Sequence, residues 1–390
     1  MIRRTLMQRN RELADFEVDP LTGEARIIDA SEAGEHLLDS ERLTELVKSR
    51  AISYRRADRQ DVLASFGALS AIHLALMGNG LSLSDQYWYR APGGTERWED
   101  INFFENEWDP GFGAAVFKRD YAGLASCSPD VPDVTTPGQI IKTWERGGGI
   151  FLIKESMYPD GADLRGVELA ADLCALLFDE SCYVPVDIVE RYGKPCSASP
   201  LMLAPDEELA DGKRLYAMAG MQEESNMGTG SATMRAMLQA HIRSYSAVGI
   251  PNASAHVARM ACLSCLALLQ NFHTGNIGVI RRIGSETWRA APLFDYDGSF
   301  GFRDDEHAVV SACAHPFVAA VMCANRFSFL DPSWDWTWYD PRVLDGFENH
   351  IVKALAPYKS MPSNFAELNA NMFAMQRAYV NRVVSGGHDA

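Results

Sequence analysis

The sequence predicts an α+β protein of two lobes, a small one containing strands and a larger helical one, preceded by a partly helical extension. Three observations carry this expectation. The chain has 390 residues, beyond the ~250–300 at which a single core stops growing, so several packed bodies are required. Hydrophobic residues make up 47% and charged ones 23%, with 30 Gly and 18 Pro spread along the chain, the profile of a folded globular protein rather than a disordered one. Short strand-like runs cluster after residue 127, whereas apolar residues beyond residue 230 recur mostly at helical spacing. The expected divisions are an N-terminal extension over 1–120, a small lobe over 121–205 and a helical large lobe over 206–390.

In chain order, residues 1–50 show no strong periodicity, although Asp39 or Ser40 is placed to cap a helix running through Lys48. From Asp61, the residues Val62, Leu63, Phe66, Leu69, Ile72 and Leu76 fall at helical spacing and stop at Gly78-Asn79-Gly80, predicting one buried helix. Residues 85–133, rich in aromatics and acids without clean period, read as an irregular packed connector. The run Gly149 to Lys154 is strand-like, residues 165–178 are helical, and 182–189 and 199–203 read as strands joined through Tyr192-Gly193-Lys194. After the Gly-rich stretch 227–230, Met234, Met237, Leu238, His241, Ile242 and Tyr245 form one stripe of an amphipathic helix. A second helix is expected over 253–270. A hairpin follows, with strands 277–281 and 287–291 leading to Asp295, and the tail from Trp334 is mostly helical.

Charge excludes some functions. With 52 acidic against 36 basic residues the formal net charge is −16, and such a field repels phosphate backbones and anionic lipid, so direct nucleic-acid binding is disfavoured. The longest apolar run, 308–323, is interrupted by His315 and Pro316 and falls short of the ~20 residues that span a bilayer, so no membrane partner is expected. No apolar segment of the signal-peptide kind opens the chain, and a cytoplasmic location is expected. The eight cysteines sit mostly in apolar helical stretches, as buried reduced thiols do. Cys262 and Cys265 have the spacing of half a zinc site, but their flanks read as continuous helix and no second pair follows at zinc-ribbon spacing.

The chemistry-bearing residues fall in two groups. Asn271-Phe272-His273-Thr274-Gly275-Asn276 lies between a helix and a hairpin that ends in Asp295. In kinase-like phosphotransferases a catalytic loop occupies such a place, with an Asn five residues after the loop's acid and an Asp beyond the hairpin holding Mg²⁺. Mg²⁺ takes hard oxygen ligands, often only one or two from protein. Asn276 and Asp295 are therefore the candidate metal ligands. Upstream, Lys154 ends an apolar strand, where an ammonium group needs a phosphate or carboxylate partner, and Glu168 on the next helix is the candidate partner. The loop before that strand, 128–138, carries hydroxyls and a flexible backbone suited to covering phosphates.

In this order the residues resemble the HipA-like toxin kinase family. Its C-terminal domain runs through a Thr-x-Gly loop, a Leu-Ile-Lys strand, a helix with Asn-Glu, a Val-Pro-Tyr strand, a catalytic Asp-Arg-His-x-x-Asn and a Pro-x-Phe-Asp-x-Gly segment. Here these stand as Thr136-Pro137-Gly138, Leu152-Ile153-Lys154, Val167-Glu168, Val184-Pro185-Val186, Asn271 to Asn276 and Pro292-Leu293-Phe294-Asp295. The resemblance covers about 127–303, and Leu81 to Trp88 is similar to a segment of a HipA-related subgroup from anaerobic bacteria. It implies a two-lobed, protein-kinase-like fold that binds ATP and Mg²⁺, with serine/threonine-kinase ancestry. Lys154, Glu168, Thr136, Gly138, Met202 and Leu203 are then candidates for nucleotide binding, Asn276 and Asp295 for the metal, and Asn271, His273 and Lys154 for catalysis. Implied partners are a nucleotide and a protein substrate or cognate antitoxin.

One departure bears on activity. The family carries Asp where this chain has Asn271, and Arg where it has Phe272. An amide cannot take a proton at neutral pH, so transfer is expected to be impaired or altered, and a non-catalytic pseudokinase acting as a regulatory or protein-binding module is the alternative. Read as a lost base, Asn271 predicts that Asn271→Asp raises phosphoryl transfer at least ~10-fold. His273 is expected to orient its neighbours. A metal-dependent hydrolase using His273, Asp295 and Asp297 would lack the paired His ligands such sites use.

Overall fold

The structure, a computed structural model, describes residues 1–32, 34, 39–222, 231–269, 271, 273–302 and 327–386. The stretch 227–230, Gln270, Phe272 and the apolar run 308–323 lie outside the described residues. The chain divides into two compact units: Met1–Glu155, Glu190–Lys194 and Leu203–Glu208 form the first, and Ser156–Val189, Pro195–Met202 and Leu209–Ala390 the second.

The first unit opens with strands β1 (Ile2–Gln8), β2 (Arg11–Val18) and β3 (Ala25–Ala30), which precede the helices expected in this region. Their periodicity is hidden because register shifts fall between Leu6 and Met7 and between Asp15 and Phe16, and each bulge moves the buried face by one residue. Helix α1 (Ser40–Ser49) is capped by Asp39, whose carboxylate accepts from Arg42 N. The single helix expected from Asp61 is two, α2 (Arg59–Ser65) and α3 (Ala71–Met77). The break comes at Gly67, in the left-handed region at φ 60°, and at Ser70, which caps α3 by accepting from His73 N. In the aromatic stretch that follows, β4 (Tyr87–Arg90) pairs antiparallel with β1 and completes a sheet of order β3-β2-β1-β4. Leu6, Phe16, Leu43, Val47, Ile72, Leu76 and Tyr89 fill the core between that sheet and its helices.

Short helices α4 (Trp98–Ile101), α5 (Gly111–Lys118) and α6 (Tyr121–Leu124) lead to the antiparallel pair β5 (Lys142–Arg146) and β6 (Ile150–Glu155). Helix α7 (Ala162–Leu177) opens the second unit and buries most of its length. Strands β7 (Asp187–Arg191) and β8 (Lys194–Pro200) form a hairpin turned by Tyr192 and Gly193, at φ 55° and 74°. The second strand thus starts at Lys194 rather than Ser199, because two positive-φ residues close the turn early. The hairpin tip belongs to the first unit, where Arg191 pairs with Glu145 at 2.9 Å and Lys194 with Glu155 at 2.6 Å.

Strand β9 (Glu207–Asp211) begins in the first unit, and from Leu209 the second unit continues through the rest of it and through α8 (Gly212–Met218), α9 (Ser231–Ala247) and α10 (Ala253–Leu266). Strands β10 (Gly278–Arg282) and β11 (Arg289–Ala290) make the expected hairpin, in a sheet of order β11-β10-β9. The tail is helical in α11 (Phe347–Leu355) and α12 (Phe365–Val384). Helix α10 runs through the centre of this unit's core, with Val257, Met260, Cys262, Leu263 and Cys265 fully buried among Leu173, Phe329, Met372 and Phe373. Cys262 and Cys265 are therefore core side chains, and Cys265 Sγ lies 3.0 Å from Phe327 O.

Candidate functional site

The second unit gathers three of the candidate residues. Helix α10 ends at Leu266, and Leu268 leaves it with φ 52°. Leu269 N donates to Ser264 O at 2.9 Å, Ser264 Oγ donates to Leu269 O, and Phe300 N donates to Ala267 O at 2.7 Å. The helix exit is thus fastened to the segment after Asp295, which brings two distant pieces of chain to one place. Beyond Asn271, residues Thr274–Asn276 make a tight 3₁₀ turn. His273 caps that turn: its Nδ1 accepts from Gly275 N at 3.0 Å, so the ring proton there sits on Nε2. Gly212 at the start of α8 packs on the same turn, and a Cβ there would stand 2.5 Å from Thr274 O, a contact no larger residue can make.

Asp295 is reached from the hairpin. Leu293 exchanges backbone bonds with the Tyr183 segment: Leu293 N donates to Cys182 O and Val184 N to Leu293 O, each at 2.8 Å. The Tyr296 hydroxyl lies 2.8 Å from Leu293 O and 3.0 Å from Val184 O. Burial raises its pKa well above the ordinary phenol range, so it stays protonated and able to donate. Between these anchors Asp295 adopts φ 63°, a left-handed conformation rare outside glycine but tolerated by Asp.

Two side-chain amides join the three residues. Asn276 Nδ2 donates to Asn271 O at 2.9 Å, and Asn271 Nδ2 donates to Asp295 O at 3.2 Å. Asn276 is buried to 8% exposure, and with its NH₂ committed, its remaining acceptor is Oδ1. Glu168, on α7 of the same unit, pairs with Arg165, which also donates to the Tyr358 hydroxyl at 2.6 Å.

The remaining candidates fall mainly in the first unit. Thr136 Oγ1 donates to Pro132 O at 2.7 Å and accepts from Trp144 Nε1 at 2.8 Å, which ties the 136–138 loop to β5. Gly138, at φ 105°, holds a conformation only glycine takes readily, and a Cβ there would stand 2.2 Å from Lys142 Nζ. Lys142 is a residue sequence reasoning missed. It is buried to 7% exposure and sits directly opposite Lys154 in the β5–β6 register, so the two ammonium-bearing chains share one face of the ladder. The available signal was its place four residues after Gly138, next to the apolar pair Ile140-Ile141. Leu203 belongs to the first unit and is buried, while Met202 belongs to the second and is half-buried.

No protein-family model matches the chain, and neither does any curated protein. Solved structures do. The chain is similar to the Helicobacter pylori proinflammatory kinase CtkA, at 14% identity and TM-score 0.45 over 63% of this chain and 95% of that one. It is also similar to HipA of Shewanella oneidensis MR-1, solved with HipB and operator DNA, at 12% identity and TM-score 0.50 over 97% of each chain. The second likeness spans both units, and on it this α+β chain has a HipA-like kinase fold.

Proposed function

We propose that this protein is a HipA-like, ATP-binding relative of serine/threonine kinases, with Asn276 and Asp295 as the ligands of Mg²⁺. The observation that carries the reading is the amide link through Asn276, Asn271 and Asp295. It links two residues whose side chains carry one amide oxygen and one carboxylate, hard donors of the kind and number Mg²⁺ takes from protein in phosphotransferases. When bound, the metal would neutralise charge on the phosphates. In this reading the small lobe is 121–205 and the large lobe 206–390. Lys154 and the cross-strand Lys142 supply positive charge for phosphate oxygens, beside the loop of Thr136 and Gly138. Met202 and Leu203 offer apolar surface to the base. Glu168, paired with Arg165, stands where the family carries its helix Glu, and His273 holds the turn that contains Asn276.

The Shewanella HipA structure contains HipB and operator DNA. A cognate antitoxin is accordingly the partner we propose for this chain, in the cytoplasm. A second reading, a non-catalytic pseudokinase, is favoured by one observation: the Asn271 side chain, where the family has its base, donates to a backbone carbonyl.

The test is an ATP titration with and without Mg²⁺ on wild type and Asp295→Ala. Nucleotide at a hundredfold excess over Kd should stabilise wild type by ~2.7 kcal/mol, only when Mg²⁺ is present. Asp295→Ala should remove most of that metal dependence. A shift indifferent to Mg²⁺, or unchanged in Asp295→Ala, would sink the assignment.

A further inference from the structure

We infer that Asn271 is a positioning residue whose amide latches the backbone of Asp295, so that this site requires Asn at this position and is not a kinase site waiting for its Asp. The inference rests on reading Asp295 as a metal ligand. Its observation is the 3.2 Å bond from Asn271 Nδ2 to Asp295 O. The direction of that bond is settled by chemistry, because a backbone carbonyl only accepts and the NH₂ end of the amide must face it.

What the latch holds is a residue in a left-handed conformation. Asp295 sits at φ 63°, a conformation Asp adopts at some cost and that its surroundings must offset. On one side Leu293 and Tyr296 are anchored to the 182–184 segment. From the other, Asn271 fixes the carbonyl of Asp295 itself. Asn271 is fixed in turn by Asn276, whose amide donates to its carbonyl at 2.9 Å. The two proposed ligands are thus connected through one intermediate residue, met by Asn276 at its backbone carbonyl and meeting Asp295 O with its own amide.

An ionised Asp in the same place has acceptors only. Its oxygen would face the carbonyl oxygen of Asp295, replacing an attraction by a repulsion at the same distance. Asn271→Asp should therefore loosen the metal ligand rather than restore a catalyst. The resemblance to active kinases predicts the opposite, a gain of at least ~10-fold in transfer, so one variant separates the two.

The experiment measures ATP affinity across a Mg²⁺ series, and ATP turnover, for wild type, Asn271→Asp and Asn271→Ala. The Mg²⁺ concentration giving half of the affinity gain should rise at least ~10-fold in Asn271→Asp, the size of effect that follows from exchanging a hydrogen bond for facing acceptors. In Asn271→Ala, which loses the bond without adding repulsion, it should rise ~3–10-fold. Affinity for ATP in EDTA should be the same in all three, which general damage to the fold would not leave untouched. Turnover should not increase in Asn271→Asp. Wild-type Mg²⁺ dependence in Asn271→Asp, or faster transfer, would overturn the latch. If Asn271→Asp does not fold, Asn271→Ala decides, and an unshifted Mg²⁺ midpoint there overturns the latch as well. Failure of wild type itself to bind nucleotide with Mg²⁺ would instead remove the kinase reading, and the latch with it.

Discussion

The two units solve burial differently. The first buries two ion pairs: Arg50 Nη2 meets Asp85 at 2.6 Å and Arg56 Nε meets Asp58 at 2.7 Å, with all four side chains under a tenth exposed. The second packs a continuous apolar core around α10, and most of its interior polar groups are neutral. There His241 Nδ1 meets the Tyr216 hydroxyl at 2.8 Å, and burial lowers the His256 pKa to about 3, so its ring stays uncharged. An exception among the described residues, the buried Asp163, accepts from Ser156 Oγ and from Met157 N. The lesson is that stability in the first unit should answer to charge and pH, while geometry in the second depends on neutral donors such as the Asn271 and Asn276 amides.

The sharpest way to break this contrast is to strip a buried pair of one partner. The Asp85 carboxylate accepts from Arg50, Ser84 Oγ and Tyr87 N, and the neighbouring Tyr89 phenol is pushed up to about 12, chiefly by burial. Asp85→Ala leaves the Arg50 guanidinium buried without its counter-charge. Denaturant unfolding should show a loss of about 3–5 kcal/mol. A loss under ~1 kcal/mol would mean that water reaches Arg50 and the pair is not buried in the energetic sense.

A smaller effect has a distinctive pH signature. Asp133 is fully buried in the first unit, its Oδ1 has no protein partner, and desolvation raises its pKa from 3.8 to about 6 against the lowering by Thr143 and Arg56. A carboxyl with a raised folded pKa binds protons more readily when folded. Its contribution is therefore favourable below about pH 4 and is lost as pH climbs to about 6. Two pKa units correspond to ~3 kcal/mol. Comparing pH-dependent unfolding of wild type and Asp133→Asn should show that the variant lacks this decline. Parallel curves for the two proteins would refute the assignment.

Much of the second unit was readable in the sequence because its elements are local. Helices α7, α9 and α10 announce themselves by apolar spacing, and the β10–β11 hairpin by its turn. The sheet of the first unit was not readable, since β1 pairs with β4 across some eighty residues and two bulges scramble the alternation. Within the site, the loop and hairpin order singled out Asn271, Asn276 and Asp295 as residue types at the right spacing. Their bonding was hidden, because whether an amide faces a carbonyl 24 residues away depends on how the α10 exit is fastened. Lys142 was hidden for a similar reason: its neighbours Ile140 and Ile141 mark a strand, but only the register sets it against Lys154.

The smallest expected effect concerns helix ends, compared in two short helices of the first unit and two long ones of the second. In the first unit α1 and α3 are short, at 10 and 7 residues, and each has a side-chain cap, from Asp39 and Ser70. In the second, α7 and α10 begin at Gly161 and Asn252 with no side-chain cap bond, yet they are longer and buried along most of their length. Helices in proteins draw most of their stability from packing, so a helix with much burial can leave its first N–H groups to other partners, and a marginal one cannot. Asp39 also places a negative charge at the positive end of the α1 dipole. Asp39→Ala should therefore cost ~1 kcal/mol, read as a shift in the unfolding midpoint. Asn252→Ala, at an α10 start that makes no cap bond but holds φ 54°, should not show a cap-sized loss beyond the cost of that backbone conformation. A null effect of Asp39→Ala would show that α1 is held by its buried Leu43 and Val47 alone, which would erase the difference between the two sets of helices.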